Sequence, residues 1–227
     1  MSNRPRIAFI HATRVAMAPI ETAARQHWPE AETISILEEG LSVDRAAARE
    51  LTRELSERIL GLSHYAELTK SDGVLFTCSA FGSAIEAAAR QSDIPVMKPN
   101  EAMFDAAFEY GDRIAMIYTF EPAATGMEQE FQEASASRGR PSQLDSHFAA
   151  KALEAKRAGD IETHDRLVAE TAANIGEADV ILLAQFSMAS AAPLARTKTD
   201  IPVLTSPEAA ITELRRRVEA RSGAVAC

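Results

Sequence analysis

Gly73-Val74-Leu75-Phe76-Thr77-Cys78-Ser79-Ala80-Phe81-Gly82 is the stretch on which the fold turns. Its unbroken apolar start reads as a buried strand, and Ser83-Ala84-Ile85-Glu86-Ala87-Ala88-Ala89-Arg90 behind it reads as an Ala-rich helix. Cys78 therefore falls at a strand-to-helix turn. Unpaired N–H groups and the helix dipole favour negative charge there, which predicts a lowered thiol pKa and a seat for an anionic substrate group. The competing reading is a small buried hydrophobe, the commonest use of a free cysteine.

Sliding the chain against itself by 107 residues exposes an internal repeat with no gap. Arg6-Ile7-Ala8-Phe9-Ile10 falls on Arg113-Ile114-Ala115-Met116-Ile117, and Asp93-Ile94-Pro95-Val96 on Asp200-Ile201-Pro202-Val203. Asp72 meets Asp179, Glu101-Ala102 meets Glu208-Ala209, and Cys78 meets Gln185. A unit of this size is a small domain rather than a solenoid repeat. The expectation is two related α/β halves, residues 1–98 with 207–227 and residues 99–206, sharing a site built from matching strand ends.

A chain of 227 residues can bury a sizeable core, and its 46% hydrophobic and 25% charged residues are ordinary for a globular protein. A formal charge of −9 argues against nucleic acid and anionic membranes as partners. No apolar run reaches transmembrane length, and the five-residue strand near the N-terminus is too short for a signal-peptide core, so a cytoplasmic protein is expected. Two cysteines, Cys78 and Cys227, make neither a disulfide framework nor a metal site, and Cys227 receives no role.

Taken in order, the strand 7–10 ends in His11-Ala12-Thr13, and residues just past such strand ends line the crevice of a parallel sheet. His11 and Thr13 are thus candidate substrate contacts. A helix over 19–27, a strand over 32–37 and one long helix over 43–63 follow. Asn100 is a candidate N-cap for the next helix, which Gly111 ends. The strand 114–117 finishes in Tyr118-Thr119, with Thr119 placed to offer its hydroxyl. Residues 135–146 read as a loop, 148–158 and 161–175 as helices, 180–184 as a strand leading to Gln185-Phe186-Ser187, and 208–219 as the last helix. His147 and His164 read as surface residues.

The two halves, the Thr77-Cys78-Ser79 turn, its counterpart at Gln185 and the Ile-Pro-Val pairs together resemble the aspartate/glutamate/hydantoin racemase superfamily. His11-Ala12-Thr13 and Pro99-Asn100-Glu101-Ala102 further resemble a racemase-like subgroup with a single active-site cysteine. The resemblance implies two pseudosymmetric Rossmann-like lobes, each a mainly parallel sheet flanked by helices, with the active site in the interlobe cleft. It implies a small carboxylate substrate, no metal, no organic cofactor and a homo-oligomer. In the family, one cysteine removes the proton α to a carboxylate and a second returns it from the opposite face. By position Cys78 is the first of these, Thr77, Ser79, Thr119 and Ser187 are carboxylate contacts, and Gln185 occupies the second cysteine's place.

An amide is no acid or base near neutral pH. Two-base inversion would then need another group, His11 or Tyr118, on the far face. The leading expectation is a cofactor-independent isomerase working α to a carboxylate through Cys78. The alternatives are a single-cysteine lyase of the arylmalonate decarboxylase kind, a maleate-isomerase-like enzyme, and a carboxylate-binding protein without turnover.

Overall fold

A computed structural model describes residues 4–48, 50–139 and 141–225, so Cys227 lies outside the described residues. By contacts the chain divides into two compact units, residues 1–99 with 210–227 and residues 100–209.

The first unit runs β1 (Arg6–His11), α1 (Met17–His27), β2 (Glu32–Leu37), α2 (Gly40–Ala47), α3 (Arg53–Leu68), β3 (Gly73–Phe76), α4 (Gly82–Gln91) and β4 (Val96–Met97). The second runs α5 (Glu101–Tyr110), β5 (Arg113–Tyr118), α6 (Glu121–Ser137), β6 (Gln143–Phe148), α7 (Ala152–Arg157), α8 (Ile161–Ala173), β7 (Val180–Leu183), α9 (Ala192–Ala195) and β8 (Val203–Thr205). α10 (Ser206–Val225) then carries the chain back into the first unit from Ala210 on.

Each unit holds one all-parallel sheet, ordered β2-β1-β3-β4 in the first and β6-β5-β7-β8 in the second. A parallel sheet needs both faces covered, and alternate strand residues supply the two faces. In the first unit Ala8, Ile10, Val74 and Phe76 pack with Leu55, Ile59 and Ala66 of α3 and Ile85 of α4. Ile7, Phe9 and Leu75 point the other way and are fully buried. On that face a Cβ at Gly73 would lie 2.9 Å from Val218 and 3.0 Å from Leu214, so the missing side chain lets α10 close on β3. In the second unit Ile114, Met116, Val180 and Leu182 pack with Phe104, Phe108 and Phe131, while Ile117, Ile181 and Leu183 pack with Val168, Ala172 and Ala195.

The repeat is visible in individual hydrogen bonds. Asp72 Oδ2 accepts from the Arg6 backbone N–H at 2.8 Å, and Asp179 Oδ2 accepts from that of Arg113 at 2.9 Å. Thr77 N–H donates to Ile10 O and Ala184 N–H to Ile117 O, both at 3.0 Å. The offset is not gap-free, however. Glu32 pairs with Arg6 but Gln143 with Arg113, so β6 trails β2 by 111 residues where β5, β7 and β8 trail by 107. The 17-residue α6 against the 11-residue α1 carries the insertion, and a shorter helical stretch before β7 takes it back.

Other expectations also change. Residues 143–146, read as loop, and Phe148, read as the start of a helix, belong to the edge strand β6, whose alternation of polar and apolar residues is too weak to announce itself. The single helix over 43–63 is two, because the backbone turns extended at Ala48 and Thr52 caps α3 by accepting from Leu55 N–H at 3.3 Å. Asn100 stands before α5 without capping it by its side chain; its amide instead donates to Glu130 and accepts from Ser206 at 2.8 Å. His164 is fully buried rather than on the surface, with Nδ1 2.7 Å from Asp165.

Candidate functional site

β3 ends at Phe76, and Thr77 and Cys78 continue the chain in extended conformation before a 3-10 turn over Ser79–Phe81 leads into α4. Cys78 is half-buried and packs on the first unit's core, Thr77 is buried, and Ser79 and Ala80 are exposed. The turn does not produce the lowered thiol pKa expected of a helix start. Burial pushes the Cys78 thiol up; the Ala80 N–H and the Arg45 guanidinium pull it back only in part. A 3-10 turn stands between the sulfur and the α-helix, and desolvation outweighs what remains of the dipole.

Beneath the turn lies His11, fully buried at the end of β1. Its Nδ1 is 2.9 Å from Thr77 Oγ1 and its Nε2 is 3.3 Å from Ser35 Oγ. Both hydroxyls have a further acceptor, Ile10 O at 3.4 Å from Thr77 Oγ1 and Glu21 Oε1 at 3.5 Å from Ser35 Oγ, so the ring tautomer sets which way each of the two contacts runs. Burial lowers the His11 pKa to about 4, so the ring is neutral at physiological pH. Both ring nitrogens of His11 are engaged by side chains of the first unit, Thr77 on one side and Ser35 on the other. Thr13 is half-buried at the start of the turn over Arg14–Ala16, and its side chain caps nothing.

Arg45, on the last turn of α2, reaches the same loop. Its Nε donates to Ala80 O and its Nη1 to Ala48 O, each at 3.1 Å. Sequence reading missed it because a continuous helix over 43–63 would have carried it elsewhere. The Thr52-Arg53-Glu54 start of α3 was the available signal.

In the second unit Thr119 follows β5 and Gln185 follows β7. Thr119 donates its backbone N–H at 3.0 Å and its hydroxyl at 2.7 Å to Gln185 Oε1. Accepting from a backbone N–H fixes which way the amide points, so Gln185 presents its NH2 as a donor on the other side. Behind it, Lys156 donates to Ser187 O and, at 3.2 Å, to Ser190 Oγ. Ser190 in turn donates to Asp165 at 2.8 Å. Ser187 thus engages a lysine through its carbonyl, and nothing in its sequence announced that lysine.

The family model for the Asp/Glu/hydantoin racemases matches residues 10–214. The chain belongs to that family. Among solved structures, allantoin racemase from Klebsiella pneumoniae is similar with a TM-score of 0.72 at 16% identity, over 96% of this chain and 89% of that one. Aspartate racemase from Picrophilus torridus follows with 0.68 at 13%, over 95% and 94%. The Gly74Cys mutant of arylmalonate decarboxylase, in its sulfate-associated form, gives 0.67 at 14%, over 95% and 94%. At such identities these likenesses speak for the fold alone. No curated protein matches the chain in sequence.

Within this racemase-family chain, the candidate residues collect into two groups, one in each unit. His11, Thr77 and Cys78, with Thr13 and Ser79 beside them, stand at adjacent strand ends because β1 and β3 are paired. Thr119, Gln185 and Ser187 do likewise on β5 and β7. Tyr118, half-buried, stacks on Phe148 with ring centroids 5.4 Å apart. Among the described residues no His, Cys, Asp and Glu cluster could hold a metal ion, and no helix is long and apolar enough to cross a membrane.

Proposed function

We propose that this racemase-family chain is a cofactor-independent isomerase that moves a proton at the carbon α to the carboxylate of a small acid, with Cys78 carrying the proton. The observation that carries this reading is Cys78 itself: a partly buried thiol past the carboxyl end of a buried parallel strand, with a guanidinium beside it. Thr77, held by His11, and the exposed Ser79 flank the sulfur as contacts for the carboxylate. Gln185 in the second cysteine's place donates a hydrogen bond through its amide and moves no proton. The chemistry is therefore one-sided: Cys78, its own proton first given up to solvent, takes the proton from one face of the α carbon as thiolate, hydrogen bonds steady the enolate oxygen, and water returns a proton to the opposite face.

A lyase reading has its own support. Burial keeps Cys78 protonated at neutral pH, which suits a thiol that donates a proton to the carbanion left by carbon dioxide loss. Proton NMR in deuterium oxide over a panel of small carboxylic acids separates the two. Exchange of the α hydrogen in unconsumed substrate, abolished in Cys78→Ser, is the result expected of the isomerase. Label in product alone marks the lyase, and full activity in Cys78→Ser removes the thiol from either scheme. Binding without turnover across the panel would leave a carboxylate-binding protein.

A further inference from the structure

We propose that Arg45 is the specificity residue of the Cys78 turn: it holds the carboxylate borne by the very carbon that the sulfur addresses. This rests on the reading of Cys78 as the reactive group and deepens it, because it requires the carboxylate and the reacting carbon to be directly bonded.

The charge at Arg45 is left over where its neighbours' charges are not. Arg14 is bidentate to Glu39, at 3.1 and 2.8 Å, and Arg58 is shared between Glu38 and Asp44. Arg45 bonds only carbonyl oxygens, those of Ala80 and Ala48, and among the described residues no carboxylate pairs with it. Carbonyl contacts through Nε and Nη1 fix the plane of the guanidinium without cancelling its charge, and they leave Nη2 and one hydrogen of Nη1 for a ligand. One of those carbonyls belongs to the loop that carries the thiol, two residues on from Cys78. A half-buried, pre-oriented guanidinium whose charge reaches the sulfur is suited to an anion arriving at that sulfur. The break between α2 and α3 makes the reach possible, since Ala48 turns extended immediately after the helix that presents Arg45.

The test needs no known substrate. Iodoacetate and iodoacetamide alkylate a thiol by the same displacement: the sulfur–carbon bond forms, the carbon–iodine bond breaks, iodide leaves, and the thiol proton passes to buffer. They differ in whether the attacked carbon bears a carboxylate or a neutral amide. Rates at Cys78 are followed by peptide-level mass spectrometry, which separates it from Cys227, with glutathione as the reference thiol. The ratio of iodoacetate to iodoacetamide rates is expected to exceed that of glutathione by about tenfold, as for one close charge–charge contact. Arg45→Met should bring the ratio down to that of glutathione, and Arg45→Lys should keep part of the preference. Arg45→Gln serves if the Met variant does not fold, as judged by circular dichroism. A wild-type ratio equal to glutathione's, or one that survives loss of the charge, overturns the role of Arg45 while leaving Cys78 as the reactive thiol. Resistance of Cys78 to both reagents overturns both readings.

Discussion

Thr119 gives two hydrogens to one oxygen of Gln185, from its backbone N–H at 3.0 Å and from its hydroxyl at 2.7 Å. The amide is thereby pinned, and the residue in the second cysteine's place becomes a donor of fixed direction. Thr119→Val removes the hydroxyl bond and leaves the backbone one, so a loss of about 1 kcal/mol is expected. Urea unfolding should show a lower midpoint with an unchanged slope. An unshifted midpoint would mean that water replaces the hydroxyl at no cost.

Gln185→Cys returns a thiol to the place where two-cysteine members of the family carry one. The expected outcome is a rise of at least about tenfold in stereoinversion of any acid whose α hydrogen the wild type already exchanges. Chiral chromatography of the recovered acid gives the measurement. Exchange without inversion in the variant would show that a second thiol is not what the chain lacks.

The Cys78 thiol should alkylate with iodoacetamide more slowly than a free thiol at neutral pH, because burial raises its pKa and the thiolate is the reacting form. The rate should keep climbing at pH values where a free thiol has levelled off. A plateau at or below the free-thiol range would place the Ala80 N–H and Arg45 above desolvation in this balance.

Much of this was open to reading before any coordinates. Four apolar residues before Thr77 and the Ile-Pro-Val pairs are local patterns, and a parallel strand buried on both faces leaves little else they could be. Cys78 and Gln185 were located by the repeat, which a chain displays whatever its loops do. β6 escaped because an edge strand is half solvated and carries Asp145, Ser146 and His147. The direction of the Cys78 shift escaped because it weighs burial against dipole, and burial is a property of the packed chain. Arg45 and Lys156 escaped for a simpler reason. Each acts on a backbone carbonyl some 30 residues away, and a carbonyl is the same in every residue.

His11 gives stability a pH dependence of definite sign. Its pKa falls from 6.5 to about 4 on folding, so below pH 6.5 the unfolded chain binds a proton that the folded chain refuses. Stability is complete above pH 6.5 and is lost as pH drops toward 4, by an amount on the order of 3 kcal/mol at about 1.4 kcal/mol per unit. Urea midpoints at pH 7 and pH 4.5 should therefore converge in His11→Asn, which keeps a donor near Thr77 and does not titrate. Parallel losses in the wild type and the variant would assign the acid sensitivity to carboxylates instead. His11→Gln, whose longer amide reaches toward Ser35 and not Thr77, should lose more of the Cys78-dependent exchange than His11→Asn does.

Gly111 is required by space, since its φ of 160° is extended backbone open to any residue. A Cβ there would lie 2.2 Å from Asp179 Oδ2 and 2.5 Å from its Cγ. Asp179 cannot simply swing away, because it accepts from the Arg113 backbone N–H at 2.9 Å and from that arginine's guanidinium at 2.9 and 3.3 Å. Gly111→Ala should therefore cost about 1–3 kcal/mol, the usual range for overpacking, by pushing the carboxylate off the start of β5. Asp179→Gly removes the carboxylate and also the Asp179 Cβ, which would stand 2.7 Å from a Cβ at 111. In the double variant the alanine at 111 has lost all three of those close contacts, so the two losses should fall well short of adding. Urea midpoints of the two single variants and the double variant decide it, and strict additivity would show that Gly111 serves the chain by some means other than making room for Asp179.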